Sequence, residues 1–428
     1  MMKAAFYTLG CKVNQYETEL MAQSLKEAGY KIVPHAEEAD IYIINSCTVT
    51  AISNQKTRQS VRAFKRKHPE CITILAGCMS QAYPEQAEQL SEADIVIGNT
   101  EHKQLPALIE AYLREKERIL DIRPHEAGEA FESGIISDFS GKTRAEMKIE
   151  DGCNRFCAYC AIPYARGRVR SKPMEDIRSE AARLAAAGYK EIVLVGINLS
   201  AYDAGGADIA DAVNAVAQEE GIRRVRLGSL EPDHISDDIL ARLAAEEKFC
   251  PQFHISLQSG CDTTLKAMNR HYTAAEYTVL AGKLRERFAD CTITTDIMVG
   301  FPGESEEDFA QSMAFARQIG FEKMHVFPYS VREGTRAASM PGQIPKAVKA
   351  ARAKEMGALA QEMREQFFRA QIGKEYEVLF ETKKGAYNTG HTKNYLPVKV
   401  ATEENLQDSI RTVRITAAGK EDCSGELL

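Results

Sequence analysis

No stretch of this 428-residue chain is apolar for long enough to form a membrane-spanning helix, and the opening MMKAAFYTLGCK lacks the pattern of a secretory signal. Membrane insertion and export are set aside, and a cytoplasmic location is expected. Positive charge is also short: 54 Lys and Arg face 61 Asp and Glu, a net charge of −7. A general polyanion binder is thereby excluded, and any nucleic-acid contact has to come from local patches. Strong internal repeats and low-complexity tracts are missing as well. What is present is a globular composition, 44% hydrophobic and 27% charged, with eleven cysteines. In a reducing compartment these predict metal binding or catalysis rather than a disulfide framework. The length suits two or three domains.

Residues 1–138 alternate short apolar runs (KAAFYTLG 3–10, DIYIINS 40–46, CITILAG 71–77, DIVIGN 94–99) with amphipathic stretches. This predicts an α/β domain with a parallel sheet. Residues 139–371 repeat the alternation six times, with strands expected at 145–152, 191–198, 223–231, 252–260, 292–300 and 323–330, and end in a long helical stretch from 346 to 371. Right-handed crossovers curl such units into a partial (β/α)6 barrel, an open doubly wound sheet being the second architecture. Residues 372–428 change to strand-like runs at 376–381, 394–400 and 410–416, with Gly385 and Gly390 read as turns, which suits a small β-barrel.

The segment DGCNRFCAYC places Cys153, Cys157 and Cys160 in a C-x3-C-x2-C spacing directly after the first strand of the second region. Sites in parallel α/β folds form at the carboxyl ends of strands. Structural zinc asks for four protein ligands, and a fourth thiol is missing locally. A four-iron cluster held by three cysteines keeps one iron open to a small molecule. In the first region Cys11, Cys47 and Cys78 each close a strand, so parallel neighbours would bring the three together; chance remains an alternative, because buried cysteine is common. Each also precedes a helical stretch, whose dipole would favour thiolate. Cys71 begins its strand and is left out, as are Cys250, Cys261, Cys291 and Cys423.

The cysteine loop resembles that of the radical S-adenosylmethionine (SAM) superfamily. TLGCKVNQYETE (8–19), NSCTVT (45–50), LAGCMSQ (75–81) and CNRFCAYCAIPYARGRVRSKP (153–173) are together similar to the methylthiotransferases, and GHTKNYLPVKV (390–400) resembles a TRAM RNA-binding module. Lys12, Val13 and Tyr164 favour the branch acting on N6-threonylcarbamoyladenosine at position 37 of lysine tRNA. Sister branches act on isopentenyladenosine in tRNA or on a ribosomal-protein aspartate. The resemblance implies two [4Fe-4S] clusters. One, on Cys153, Cys157 and Cys160, binds and cleaves SAM to a 5′-deoxyadenosyl radical; the other, on Cys11, Cys47 and Cys78, carries the sulfur that is methylated by a second SAM. It also implies an electron donor such as flavodoxin or ferredoxin, and a monomer is the default. The rival from another class is a noncatalytic, zinc-containing RNA-binding protein.

Tyr159 matches the family aromatic near the adenine. Asn198, Ser229, Glu231, Gln258 and Asp296 stand at or near predicted strand ends and are candidates for the cofactor. The family's Gly-Gly-Glu run after the second barrel strand is absent from VGINLSAYDAGG, which leaves the methionine amino group without an assigned partner. RNA contacts are expected from Arg155, Arg166, Arg168, Arg170 and Lys172 beside the cysteine loop, from the run Lys56–Lys67, and from Lys383, Lys393 and Tyr395 in the last region. The partner is an anticodon stem-loop, whose unpaired bases are the least costly to extract.

Overall fold

The computed structural model describes residues 1–137, 139 and 141–428. The expected boundary at 138 therefore falls outside the described residues. The first region is a six-stranded parallel sheet built from β1 (Lys3–Thr8), β2 (Lys31–Val33), β3 (Ile41–Ser46), β4 (Ile72–Gly77), β5 (Ile95–Ile97) and β6 (Ile119–Asp121), in the order β2-β1-β3-β4-β5-β6. Helices α1 (Lys12–Glu27), α2 (Ala51–Lys67), α3 (Cys78–Ala82), α4 (Pro84–Glu88) and α5 (Leu105–Glu115) connect the strands. The period-2 rule sorts the side chains. Ile41, Ile43, Ile72 and Ile74 face Met21, Leu25 and Ile109 on one side, while Tyr42, Ile44 and Leu75 face Val61, Met79 and Leu90 on the other. Cover on both faces is what makes β3 and β4 read as unbroken apolar runs.

The second region comprises β7 (Arg144–Lys148), the short pair β8 (Glu150–Asp151) and β9 (Arg170–Ser171), then β10 (Glu191–Val195), β11 (Arg224–Leu227), β12 (Ser229–Leu230), β13 (Gln252–Ile255), β14 (Thr292–Val299) and β15 (Lys323–Pro328). The intervening helices are α6 (Ile162–Arg166), α7 (Met174–Ala186), α8 (Ile209–Ala217), α9 (Asp237–Ala245), α10 (Asp262–Ala267), α11 (Ala274–Arg287) and α12 (Glu306–Ile319). Parallel sheets β11-β10-β7 and β12-β13-β14-β15 adjoin at a bridge between Val225 and Phe249. This six-unit arrangement is the partial barrel expected from the sequence. Capping boxes at Asp208, Thr273 and Ser305 start α8, α11 and α12. By contrast α1 begins on Cys11, whose side chain makes no capping hydrogen bond.

Helix α13 (Lys346–Arg369) leads into a closed barrel of β16 (Glu375–Lys384), β17 (Tyr387–Thr392), β18 (Pro397–Ala401), β19 (Ile410–Ala418) and β20 (Cys423–Leu427). Gly390 is not at a turn, as expected, but inside β17, where an added Cβ would stand 2.1 Å from the carbonyl oxygen of Leu379. This barrel docks under the amino ends of the central strands. Arg224 donates to the carbonyls of His391 (3.0 Å) and Glu377 (2.8 Å), and Arg226 to that of Lys393 (2.8 Å). The base of the central barrel is thereby closed. Among the described residues, no helix is long and apolar enough to cross a membrane.

At the start of β15, burial lifts the Glu322 carboxyl from its ordinary 4.5 to about 7, while the backbone N–H of Ile293 donates to it at 2.6 Å. The folded state thus holds a proton that the unfolded chain releases above pH 4.5. The stability this gives is complete below that pH and lost as pH rises through about 7, an effect of about 3 kcal/mol. Glu322→Gln is expected to lessen the fall in melting temperature between pH 5 and pH 8, measured by circular dichroism.

Candidate active site

The loop after β8 is fixed before it offers any sulfur. Gly152 has φ +85°, and an added Cβ would meet the carbonyl oxygen of Arg168 at 1.9 Å, so only glycine fits. Ala158 N donates to Met268 O (2.8 Å), and the Asn269 amide donates to the carbonyls of Arg155 and Phe156 (3.3 and 3.2 Å). Each thiol of this trio then receives an N–H: Cys153 from Arg155 N (3.5 Å), Cys160 from Ile162 N (3.4 Å) and Cys157 from the Arg270 guanidinium (3.4 Å). Burial pushes Cys153 and Cys160 up to about 12, and a thiolate on Cys157 raises both further. They are protonated at neutral pH unless a metal replaces the proton. Among the described residues no three His, Cys, Asp or Glu side chains close on a single-ion point. A cubane presents separate irons to separate thiolates and asks for no such convergence.

Three buried acceptors beside the loop have no partner among the described residues: Glu150 Oε1, Asn198 Oδ1 and Gln258 Oε1. A buried polar atom left unmade costs about 1–3 kcal/mol, and such exceptions mark ligand sites. Glu150 is lifted to about 8 by burial, with its other oxygen held by Asn198 N (2.7 Å). An ammonium and hydroxyl groups are what these acceptors lack, and a SAM molecule carries both. Tyr159 packs edge-on to Phe301 at 6.4 Å and lines the same cleft as Cys160 and Gln258. Glu231 is committed to Arg270, and so holds that guanidinium on Cys157. Ser229 and Asp296 face the barrel lumen. Glu150 and Arg270 were missed in the sequence; an acid at the end of the apolar run MKIE was a signal for the first, and the second gave none.

The second trio stands on adjacent strands. Cys11 follows β1, Cys47 follows β3 and Cys78 follows β4, and these three strands are hydrogen-bonded neighbours. At Gly10 an added Cβ would lie 3.2 Å from the Cys47 sulfur, which shows how closely the first loop passes the second cysteine. Burial raises Cys78 to about 12 and also raises Cys11, with Arg166 opposing in both. At Cys78 the expected thiolate preference is therefore reversed, because α3 is a single short turn and desolvation outweighs its dipole, and Cys11 moves in the same direction. Arg166, six residues beyond Cys160, donates to Asn14 (3.0 Å), Glu17 (2.7 Å) and Asp151 (3.0 Å). Burial would raise Glu17, but Arg166 and Lys148 hold it at about 2. One guanidinium thus ties the first cysteine loop to the helix that Cys11 begins.

Two cavities adjoin. A cleft of about 710 Å³ runs from Val49, Thr50 and Ile52 to Tyr159 and Cys160. A lumen of about 400 Å³ is reached by Cys11 and Lys12, and Asp296 borders both spaces.

The expected RNA contacts are divided by the structure. Arg166 and Lys172 are fully buried, the latter on Glu180. Arg170 is held by Asp151 and Glu129, and Arg155 by Asp233 and His271. Arg168 alone of that stretch turns outward, over the Phe156 ring at 4.8 Å, with the exposed Tyr164 edge-on to the same ring. Of the other run, Lys56, Arg62, Arg66 and Lys67 are exposed on α2. Lys383 donates to Glu403 O and Lys393 to Glu247 O (2.9 Å). Tyr395 lies between Arg144 and Arg226, stacked on His391 at 4.3 Å, where it closes the base of the lumen.

A partial barrel with a three-thiol loop at the carboxyl end of its first strand defines a radical SAM enzyme. Residues 147–316 match the radical SAM superfamily, and residues 3–98 match a family described as uncharacterized protein family UPF0004. The solved structure of the radical SAM methyltransferase TsrM from Kitasatospora setae shares the fold, with a TM-score of 0.60 over 79% of this chain and 77% of that one, at 14% identity. The threonylcarbamoyladenosine tRNA methylthiotransferase MtaB of Bacillus subtilis (strain 168) is 36% identical over 430 residues, covering 98% of this chain and 95% of that protein. A tRNA-2-methylthio-N(6)-dimethylallyladenosine synthase of Caldicellulosiruptor saccharolyticus is 34% identical over 439 residues, covering 98% and 91%. The chain belongs to the radical SAM tRNA methylthiotransferases, on the MtaB-like side of that family. It is an enzyme that uses SAM and an iron–sulfur cluster, and the noncatalytic zinc reading falls.

Proposed function

We propose that the protein inserts a methylthio group at C2 of N6-threonylcarbamoyladenosine 37 in lysine tRNA. In this reading Cys153, Cys157 and Cys160 hold the SAM-cleaving cluster, and Cys11, Cys47 and Cys78 hold a second, sulfur-carrying one. The observation that carries it is that one cysteine of each trio, Cys11 after β1 and Cys160 in the β8 loop, lines one of two adjoining cavities that share Asp296. The similarity to relatives named for threonylcarbamoyladenosine supports the choice of base. Bound there, the clusters and SAM supply the one-electron chemistry and the sulfur that an unactivated aromatic C–H requires.

The chain's own residues bind, orient and exclude water. Glu150, Asn198 and Gln258 offer their unpartnered oxygens to the methionine ammonium and ribose hydroxyls. Arg270, fixed by Glu231, orients the Cys157 sulfur. The apolar cleft between Ile52 and Tyr159 takes a base splayed out of the anticodon loop, while Arg168 and the exposed face of α2 meet phosphates. A small electron carrier such as flavodoxin or ferredoxin supplies the reductant. The functional units are 1–138, 139–371 and 372–428. In a strain lacking this protein, mass analysis of tRNA nucleosides is expected to show threonylcarbamoyladenosine accumulating without its methylthio derivative. Accumulation of isopentenyladenosine instead would refute the assignment.

A further inference from the structure

The lumen lies beneath the cleft. Its base is closed by Tyr395 and the docked C-terminal barrel, and Cys11 and Lys12 stand on its wall. Its charge is unbalanced. Lys12 and Lys323 both line it, and neither makes a hydrogen bond or ion pair among the described residues. The carboxylate facing them, Asp296, is engaged by His254 at 3.4 Å. The neighbouring acids Glu146 and Glu191 belong to other cations, Lys142 at 3.1 Å and Arg226 at 2.7 Å. Lys12 is exposed and Lys323 half-buried on this wall, so two ammonium groups outnumber the single carboxylate and stand ready to take an anion.

The geometry points to the lumen as the receptor for an anionic N6 substituent, with Lys12 and Lys323 as the cations that take its carboxylate. This rests on the proposed function: a threonylcarbamoyl arm ends in a carboxylate and a hydroxyl, whereas an isopentenyl arm has neither. A base lying in the cleft beside Cys160 passes its N6 substituent by Asp296, the residue common to both cavities. The lumen volume of about 400 Å³ is of a size that takes a small ligand group. Rejection of the apolar arm follows from the same residues. A site built for polar groups discriminates strongly against an analogue that leaves them unpaired, far more than an apolar pocket discriminates by size. Lys12 and Lys323 are thus specificity-determining residues.

The test is binding, read by fluorescence anisotropy at fixed salt on the reconstituted protein. The probes are synthetic anticodon stem-loops carrying threonylcarbamoyladenosine, its methyl ester or isopentenyladenosine. The free acid is expected to bind at least about 10-fold more tightly than the ester. In Lys323→Met that ratio is expected to shrink to about 3-fold or less, with affinity for the ester unchanged within about 2-fold, which also reports an intact fold. Lys12→Met, checked for unchanged iron content, serves as the second variant. Equal binding of acid and ester by the unsubstituted protein, with both above the isopentenyl loop, would overturn the carboxylate assignment while leaving the substrate standing. Preference for the isopentenyl loop over both would overturn the substrate and this inference together.

Discussion

Cys157→Ala is expected to reduce both 5′-deoxyadenosine release and methylthiolation by at least about 10⁴-fold, the scale of loss when a group that acts as part of a unit is deleted. Iron per chain should fall to about half if two four-iron clusters are present. The loss is total in kind, because no neighbouring side chain can substitute. The buried acids and bases of the site, Glu150 among them, move protons and not single electrons. Cys157 is also the thiol of its trio held by a side chain, Arg270, which Glu231 locks in turn. The fold should survive the change. The loop is fastened by backbone contacts of Cys153 to Gly167 (3.0 Å) and Ala158 to Met268 (2.8 Å), and neither uses a sulfur. A variant that melts with the unsubstituted protein and still releases deoxyadenosine would defeat the assignment of this trio.

What could be read in advance was what residue identity carries. Cysteine spacing announces its chemistry without knowledge of what lies opposite, and doubly covered strands such as β3 and β4 announce themselves by unbroken apolar runs. Strands β2 and β6 escaped notice because each has three residues and lies at a sheet edge, where little is buried. In the small barrel, β17 (YNTGHT) and β20 (CSGEL) were missed because half their positions face solvent and their cores are made by partners. Charge was the least legible feature. Arg166 and Lys172 sit in a run of cations that reads as an RNA-facing strip, yet both are fully buried. The acid that neutralises Arg166, Glu17, is 149 residues away in the chain. Lys323 became informative only when the fold placed it on one cavity with Lys12.

Cys47→Ala is expected to abolish sulfur insertion, again by about 10⁴-fold or more, while leaving 5′-deoxyadenosine release within about 3-fold and about half the iron in place. The separation is structural. The N-terminal trio belongs to the parallel sheet of β1, β3 and β4, and the other to the loop after β8; they share no strand and no ligand. What joins them is Arg166, and substituting that residue would be a poorer experiment. Its removal leaves Glu17 and Asp151 buried with fewer counter-charges, a change of the kind that costs about 3–5 kcal/mol and disturbs both centres at once. Cys47 by contrast takes part in no ion pair among the described residues and receives a weak contact from Val49 N at 3.5 Å. Its loss trims one small buried side chain, so the cleft lined by Tyr159 and Cys160 keeps its walls. Cys78→Ala should behave in the same way, since the charges acting on its thiol are those of Arg166, Glu17 and its sister cysteines. Paired measurement of deoxyadenosine by chromatography and of methylthiolated nucleoside by mass spectrometry reads the two outcomes from one reaction. If the two activities fall together in both variants, the division of labour between the trios is wrong and the six cysteines serve a single centre.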